Sequence, residues 1–541
     1  MSDSSDSDVY IEEHDDSCSE DLVDMEYFNC NEACELHPNL KEDVRMAARE
    51  FRSTEDELGV QAVQIAESKC TLKCWTAVKL SFPLTSIPES LLRVWELEDT
   101  PLIAVVFDQV HKSEFRTHDE FPHISARKGT GDSSHFTVGE QLKNYVTTTM
   151  HNKYKLSENE SPASVGSFFA LVYKEIADKL ATLTEYCMVC GEKLWAGGVL
   201  PSICDRPLCS YQYQELHLYD GLTSPRVSAD VMSLLLLAFN YANSSVRRDH
   251  ILNPAPSIKS LEELVKETNK MGASKKIGGS IKAESNVLSV LLERLPCPKT
   301  LLSSMTSYHE FRQEWPSASS ILEWLVISNR SYLERVPKEL NVEFLCTDMQ
   351  YLFVSDTPAK QAEFDGLVAA NGGKTRFFFH GSPAENWHSI IRRGLKNMSG
   401  TKFQLVGAAY GPGIYLSPQL ATSVAYASAH FTVPGRAACV GKDCCDTEVK
   451  EPIHCVALVE VVDSPNAYRK GTRDDSIFVA NSEEWCSIRM LLLYTNMQLI
   501  KLELNHVKSR RILTQLGSRF PTGLPSSSSS SLVPSSSLPP S

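Results

Sequence analysis

A chain of 541 residues with 42% hydrophobic content is long enough for roughly two to four domains with cores of their own. A formal net charge of −15 at pH 7 argues against broad, nonspecific nucleic-acid binding, which needs basic surface. The most apolar stretch, Met232 to Ala242, is shorter than the ~18 residues that span a bilayer and fits a buried helix, so no membrane span is expected.

Residues 1 to about 45 are dominated by Asp, Glu and Ser and read as a disordered acidic arm. No basic region followed by an apolar one opens the chain, so no secretory signal is visible. Sixteen cysteines without such a signal point to thiols or metal ligands in a reducing compartment. The expected location is intracellular, cytoplasmic rather than nuclear. Cys18, Cys30 and Cys34 read as isolated thiols of the arm. From 46 to 160 a small α/β domain is expected, with strands at Lys73–Phe82 and Leu91–Phe107 and helices at 41–68 and Val138–Tyr145.

Between 161 and 225 lies a cysteine-rich module. Cys187 and Cys190 are two residues apart, thirteen residues precede Cys204, and Cys209 follows four residues later. Two cysteines on a tight knuckle meet one ion, and a second pair across a hairpin completes a tetrahedral thiolate site. With all four positions filled, such a zinc ion is structural; the competing reading is four buried thiols, and His217 is a fallback ligand.

Residues 226–339 carry helical periodicity at Val231–Tyr241, Ser260–Thr268, Ser285–Arg294 and Ser319–Ile327. Asn253 to Pro256 and Gly272 to Gly279 break them; the latter is a glycine-bearing basic linker without a phosphate-loop pattern. Trp324 and Leu325 read as core. From 340 to 507 strands are expected at Val342–Leu345, Gln350–Val354, the Phe377–Phe379 run, Gly413–Leu416, His454–Val462, Asp475–Ala480 and Ile488–Tyr494, with a helix over Pro358–Ala369. Cys439, Cys444, Cys445, His454 and Cys455 are irregularly spaced and read as free thiols, with zinc the minority alternative. The Ser/Pro segment 508–541 is a low-complexity tail.

The most informative stretch runs from Arg376 to Ala429. The aromatic strand leads straight into His380-Gly381-Ser382. Ser382-Pro383-Ala384-Glu385 reads as a helix start with a capping box, Trp387, Ile390 and Ile391 as the helix's apolar stripe, and Gly394 as its C-terminal cap. A second strand, Gly413-Ile414-Tyr415-Leu416, precedes a second helix starting at Ser417-Pro418, on which Ser423 and Tyr426 share a face. Such junctions can line a cleft with a backbone amide, ring faces and hydroxyls, suited to a flat aromatic amide.

These motifs, HGS, then YGPGIYLS, then TSVAYAS, resemble the NAD-binding half of the poly(ADP-ribose) polymerase superfamily, the diphtheria-toxin-like ADP-ribosyltransferases. The wording of 380–418 is closest to the mono-transferring branch numbered six and eight. The resemblance implies an α+β chain whose C-terminal ADP-ribosyltransferase fold has split antiparallel sheets with helices. It implies NAD as substrate and transfer of ADP-ribose to protein acceptors, the chain itself included. Gly381 would hold the nicotinamide amide through its backbone and Ser423 would bond the same amide. Tyr426 would stack on the ring, Tyr415 would pack on its other side, and His380 would bond the adenosine-side ribose. Ser382 and Tyr410 join the implied cofactor-binding set, although Ser382 also reads as only the helix cap.

Polymer-forming members carry a glutamate near the start of a late strand. The comparable strand here offers Met490 or Tyr494, depending on register, and neither is a carboxylate. With no carboxylate to polarise a ribose hydroxyl, single transfers are expected rather than chains. The alternative is an interaction protein with a degenerate transferase fold; a metal-dependent hydrolase lacks a supporting histidine–carboxylate constellation.

Overall fold

The computed structural model describes residues 38–516 except 52–58, 67–73, 109–115, 117–121, 130–135, 158, 216–226, 253–254, 259, 273–283, 304, 402–408, 428–452 and 495–500. The chain divides into two compact units. The first takes in residues up to 85, 99–135 and 146–179; the second takes in 86–98, 136–145 and everything from 180 onward.

In the first unit, helix α1 (Pro38–Phe51) buries Leu40, Val44 and Ala47, a one-sided stripe at helical spacing. The acidic arm expected to 45 therefore ends earlier; its other residues lie outside the described set. Strand β1 (Gly59–Ala66) replaces the second half of the helix expected over 41–68: the segment carries the β-branched Val60, Val63 and Ile65 and pairs antiparallel with residues 74–81, from Gly59 opposite Ser81 to Ala66 opposite Cys74. It opens an antiparallel meander with β2 (Cys74–Pro83), β3 (Leu102–Asp108) and β4 (His123–Lys128). Helix α2 (Phe168–Lys179) covers the sheet, Tyr173 stacking on Phe82 with ring centroids 4.8 Å apart. The buried Asp43 of α1 accepts from the Phe168 and Phe169 amides at 2.8 and 3.1 Å and from Arg116 Nη1 at 3.1 Å. It thus satisfies orphan donors at the start of α2. This unit runs to 179 rather than 160.

In the second unit the early piece Glu89–Trp95 is a helix, not the strand expected from Leu91 onward. Leu91, Val94 and Trp95 are buried at helical spacing. After α3 (Pro207–Glu215) comes α4 (Ala229–Ser244), buried along its whole length from Val231 to Asn243. One face (Met232, Leu236, Phe239) belongs to a helical core shared with α5 (Leu261–Met271), α6 (Glu284–Arg294) and α7 (Pro316–Ile327). The other face (Leu234, Leu237, Tyr241) belongs to the core of the C-terminal sheets. That double burial is why the most apolar stretch of the chain is apolar all round. Among the described residues no helix is long and apolar enough to cross a membrane.

The five-stranded antiparallel sheet has the order β5-β6-β12-β9-β7. Its strands are β5 (Tyr332–Arg335), β6 (Met349–Val354), β7 (Thr375–Gly381), β9 (His454–Val462) and β12 (Cys486–Tyr494). The three-stranded sheet has the order β10-β11-β8, with β8 (Ile414–Leu416), β10 (Tyr468–Lys470) and β11 (Phe478–Ala480). Val342–Leu345 is not a strand: Glu343–Leu345 forms a 3-10 turn. Helix α8 (Pro358–Ala370) connects β6 to β7. The two sheets meet where Phe379 and Ser417 exchange backbone hydrogen bonds of 2.7 and 2.9 Å. The tail begins later than 508, because helix α11 (His506–Leu516) buries Ile512 and Leu516 one turn apart.

Candidate active site

Strand β7 ends at His380-Gly381 against helix α10 (Leu420–Tyr426), while the segment from Ser382 turns away into helix α9 (Trp387–Arg393). The gap between them is a cavity of about 520 Å³, a size ordinary for small-ligand sites. His380, Gly381, Ser382, Tyr410, Tyr415, Ser423 and Tyr426 all line it. The structure thus brings together every residue of the expected nucleotide-binding set.

Gly381 has a packing reason to be glycine. A Cβ there would stand 1.7 Å from the Ser423 carbonyl oxygen, so only a bare backbone lets α10 lie against β7. The Ser423 hydroxyl donates to the Phe379 carbonyl at 3.0 Å, leaving its lone pairs as acceptors. His380 Nδ1 lies 2.9 Å from the Tyr415 carbonyl. A carbonyl only accepts, so Nδ1 carries the proton and Nε2 is left as an acceptor. Burial holds the imidazole below its ordinary value, partly offset by that hydrogen bond, which keeps the ring neutral at pH 7. The Tyr415 hydroxyl accepts from the Tyr410 amide and donates to the Gly411 carbonyl, both at 2.9 Å, so it ties the loop ahead of its own strand. Tyr426 is 43% exposed and offers its ring at the cavity mouth.

The helix start differs from the expected capping box. Glu385 is turned to Arg247, accepting from Nε at 2.9 Å and Nη2 at 2.6 Å. The Ser382 hydroxyl accepts from Asn386 Nδ2 at 2.9 Å, and the first turn, Ala384–Asn386, is 3-10. Gly394 does close α9, at φ 74°, with its amide bonded to the Ile390 carbonyl.

Met490 and Tyr494 do not reach the cavity, which corrects their expected place in the catalytic set. Both are buried in β12, a strand enclosed between β6 and β9. Met490 lies opposite Leu352 and Leu458, and the Tyr494 hydroxyl donates to the Leu345 carbonyl at 2.8 Å. Among the described residues, the late one that does line the cavity is Ile477, just ahead of β11. Sequence alone does not single it out, because an isoleucine inside the strand expected at Asp475–Ala480 reads as core. The pairing of β11 with β8, Val479 opposite Tyr415, is what carries it to the site. Among the described lining residues there is no carboxylate, and the permanent cations are Arg393 and Lys396.

The four cysteines of the N-terminal side of this unit also come together: the Cys187, Cys190, Cys204 and Cys209 sulfurs lie within 4.8 Å of one another. Zn–S bonds of ~2.3 Å in a tetrahedron put sulfurs about 3.8 Å apart, and Cys190 and Cys204 are at 3.9 Å. The Cys204 amide donates to the Cys187 sulfur at 3.2 Å, while Arg206 donates to Cys190 and, at 3.4 Å, to Cys204. Donors aimed at sulfur are what a thiolate set requires, so the cluster fits a metal; His217 lies outside the described residues. Cys439, Cys444 and Cys445 also lie outside them. Cys455 is buried in β9, and His454 is bonded through Nδ1 to the Ala427 carbonyl at 3.0 Å.

Residues 348–442 match the family model of the poly(ADP-ribose) polymerase catalytic domain. The chain is 28% identical over 367 residues to the protein mono-ADP-ribosyltransferase PARP8 of Mus musculus. It is 27% identical over 367 residues to that of Homo sapiens. Each alignment takes in 64% of this chain and 42% of the relative, so the chain spans less than half the length of the curated relatives it matches.

Proposed function

We propose, from its match to the poly(ADP-ribose) polymerase catalytic domain over residues 348–442 and its similarity to PARP8, that the chain is an NAD-dependent protein mono-ADP-ribosyltransferase. It transfers one ADP-ribose to a protein acceptor, itself included, and releases nicotinamide. The convergence of His380, Gly381, Tyr415, Ser423 and Tyr426 on one cavity carries this reading.

The reaction breaks the bond between nicotinamide and ribose. The ribose carbon becomes cation-like, and the ring leaves as a neutral amide. The Ser423 oxygen, already donating to Phe379, is an acceptor for the carboxamide NH2, and the Gly381 backbone holds the same group. Tyr426 stacks on the ring, an offset contact worth about 1 kcal/mol. The neutral His380 accepts a ribose hydroxyl at Nε2 and needs no proton transfer for that task. These contacts fix the dinucleotide so that an acceptor meets the ribose carbon in line. The lack of a carboxylate among the described lining residues supports the single transfer: nothing there polarises a ribose hydroxyl to attack in a second round.

The four-cysteine cluster we read as a structural zinc site, closed by four thiolates with no position left for water. Such an ion would cross-link the hairpin 187–209; the chemistry of transfer does not pass through it.

The test is auto-modification with labelled NAD. The parent incorporates label, and His380→Ala, still folded by circular dichroism, loses it by about ten- to a hundredfold, the cost of leaving a buried hydroxyl of the bound substrate unpaired. Equal labelling of parent and mutant, or none with any protein acceptor, contradicts the reading.

A further inference from the structure

The cysteine cluster and the cavity wall share one residue's reach. Asp205 directly follows Cys204, and its carboxylate holds three donors. Oδ1 accepts from Arg330 Nη2 at 3.1 Å, and Oδ2 accepts from Arg393 Nη2 and from Trp195 Nε1, each at 2.9 Å. Arg393 is the last residue of α9 and lines the cavity. Its guanidinium carbon also stands 5.0 Å from the centroid of the Trp195 ring. Both of these contacts to Arg393 come from the hairpin that carries the cysteines.

Arg330 anchors the other side of the same hairpin. Only 1% exposed, it donates to the Ala196 and Ile203 carbonyls at 2.8 and 3.0 Å, and its own carbonyl accepts from the Val199 and Leu200 amides. Gly198 passes so close that a Cβ would stand 2.1 Å from that carbonyl. The segment 195–205 is therefore wrapped around Arg330, which leads into β5. Its far end is held from two sides, by Arg330 through the Ile203 carbonyl and Asp205 and by Cys204 through the cysteine cluster.

We infer that the cysteine hairpin is a positioning device for the nucleotide cavity: with Cys204 seated in the metal cluster, Asp205 holds Arg393 at the cavity wall, and metal occupancy thereby sets how tightly a dinucleotide binds. The inference rests on the NAD reading for its ligand. A guanidinium there is the group a diphosphate needs, since it offers a fixed fork of donors to phosphate oxygens. Asp205 is a positioning residue and touches no substrate; its effect belongs in KM and not in kcat.

The experiment uses the full chain as purified, the same chain stripped by a chelator, Cys204→Ser, and Asp205→Ala with Asp205→Glu as the conservative variant. Zinc per chain is read by native mass spectrometry, order at 387–396 by hydrogen exchange, and NAD affinity by titration calorimetry. The expected result is that stripping and Cys204→Ser lose the metal, speed exchange over 387–396 and weaken NAD about tenfold. Asp205→Ala keeps the metal yet gives the same two changes, with kcat within about twofold of the parent, and Asp205→Glu restores part of the affinity. Asp205→Ala that keeps its metal with parental exchange and affinity overturns the coupling, as does metal loss that moves neither. A parent that binds no NAD sinks the functional reading alone; the exchange data on stripped chain and Asp205→Ala still decide whether the hairpin positions Arg393. If Cys204→Ser fails to fold, those same two samples carry the decision.

Discussion

His380 shows how one local contact assigns a role. The Tyr415 carbonyl fixes its tautomer, and burial keeps it uncharged. Its folded-state value lies below the ordinary 6.5, so an unfolded chain takes up the proton first as pH falls. Stability from this residue is therefore present above about 6.5 and is lost as acid is added below it. The kcat/KM profile is expected to be level from neutral to mildly alkaline pH and to fall only on the acid side, once Nε2 is protonated and ceases to accept. A rate that climbs on acidification would mean the imidazolium is the working form. Tyr415→Phe is the second test at this scale. It removes the hydroxyl that ties residues 410 and 411 and leaves the ring, so about 1–2 kcal/mol of stability is lost. KM for NAD should rise, as read by urea titration and steady-state kinetics; unchanged values of both would show the tie to be idle. The resemblance carried by HGS, YGPGIYLS and TSVAYAS implies His380, Gly381, Ser382, Tyr410, Tyr415, Ser423 and Tyr426, and all seven line the cavity. Ile477 was not legible in the sequence, because only the pairing of β11 with β8 gives it a ligand-facing position.

At the scale of elements, local periodicity was a good guide where one neighbour decides the structure. His454–Val462 is a strand over the whole expected span, and the helices beginning near 231, 260, 285 and 319 are present. It failed where two short segments of opposite type adjoin. Leu92 and Val94 alternate as a strand would, yet Leu91, Val94 and Trp95 also fit a helix, and that burial decides. It failed again in β12, where every residue is buried, so alternation could not tell which side faces the site. One pair inside that sheet makes a stability prediction. Arg489 of β12 donates to Glu460 of β9 at 2.8 Å and to Gln361 of α8 at 2.9 Å, with Arg489 and Glu460 at most 3% exposed. Glu460→Ala leaves a buried guanidinium without its charge partner and should cost about 3–5 kcal/mol in urea unfolding. A loss below about 1 kcal/mol would mean that water reaches the pair.

On the scale of the whole molecule, the second unit joins three parts read separately in the sequence: a cysteine hairpin, a helical region and a pair of antiparallel sheets. Helix α4 joins the last two through its two apolar faces, and the Asp205 clamp joins the first to the cavity wall. Composition could set the boundaries only approximately, because α2 and α11 run past the ends suggested by the sequence. The proposed dinucleotide lies across this cavity with its departing ring held between α10 and the end of β7. A crystal structure with a non-reactive nicotinamide analogue tests that placement most directly. The expected result is a carboxamide bonded to the Gly381 backbone and the Ser423 hydroxyl, with the ring against Tyr426. An analogue bound elsewhere, or a cavity that stays empty at saturating concentration, contradicts it.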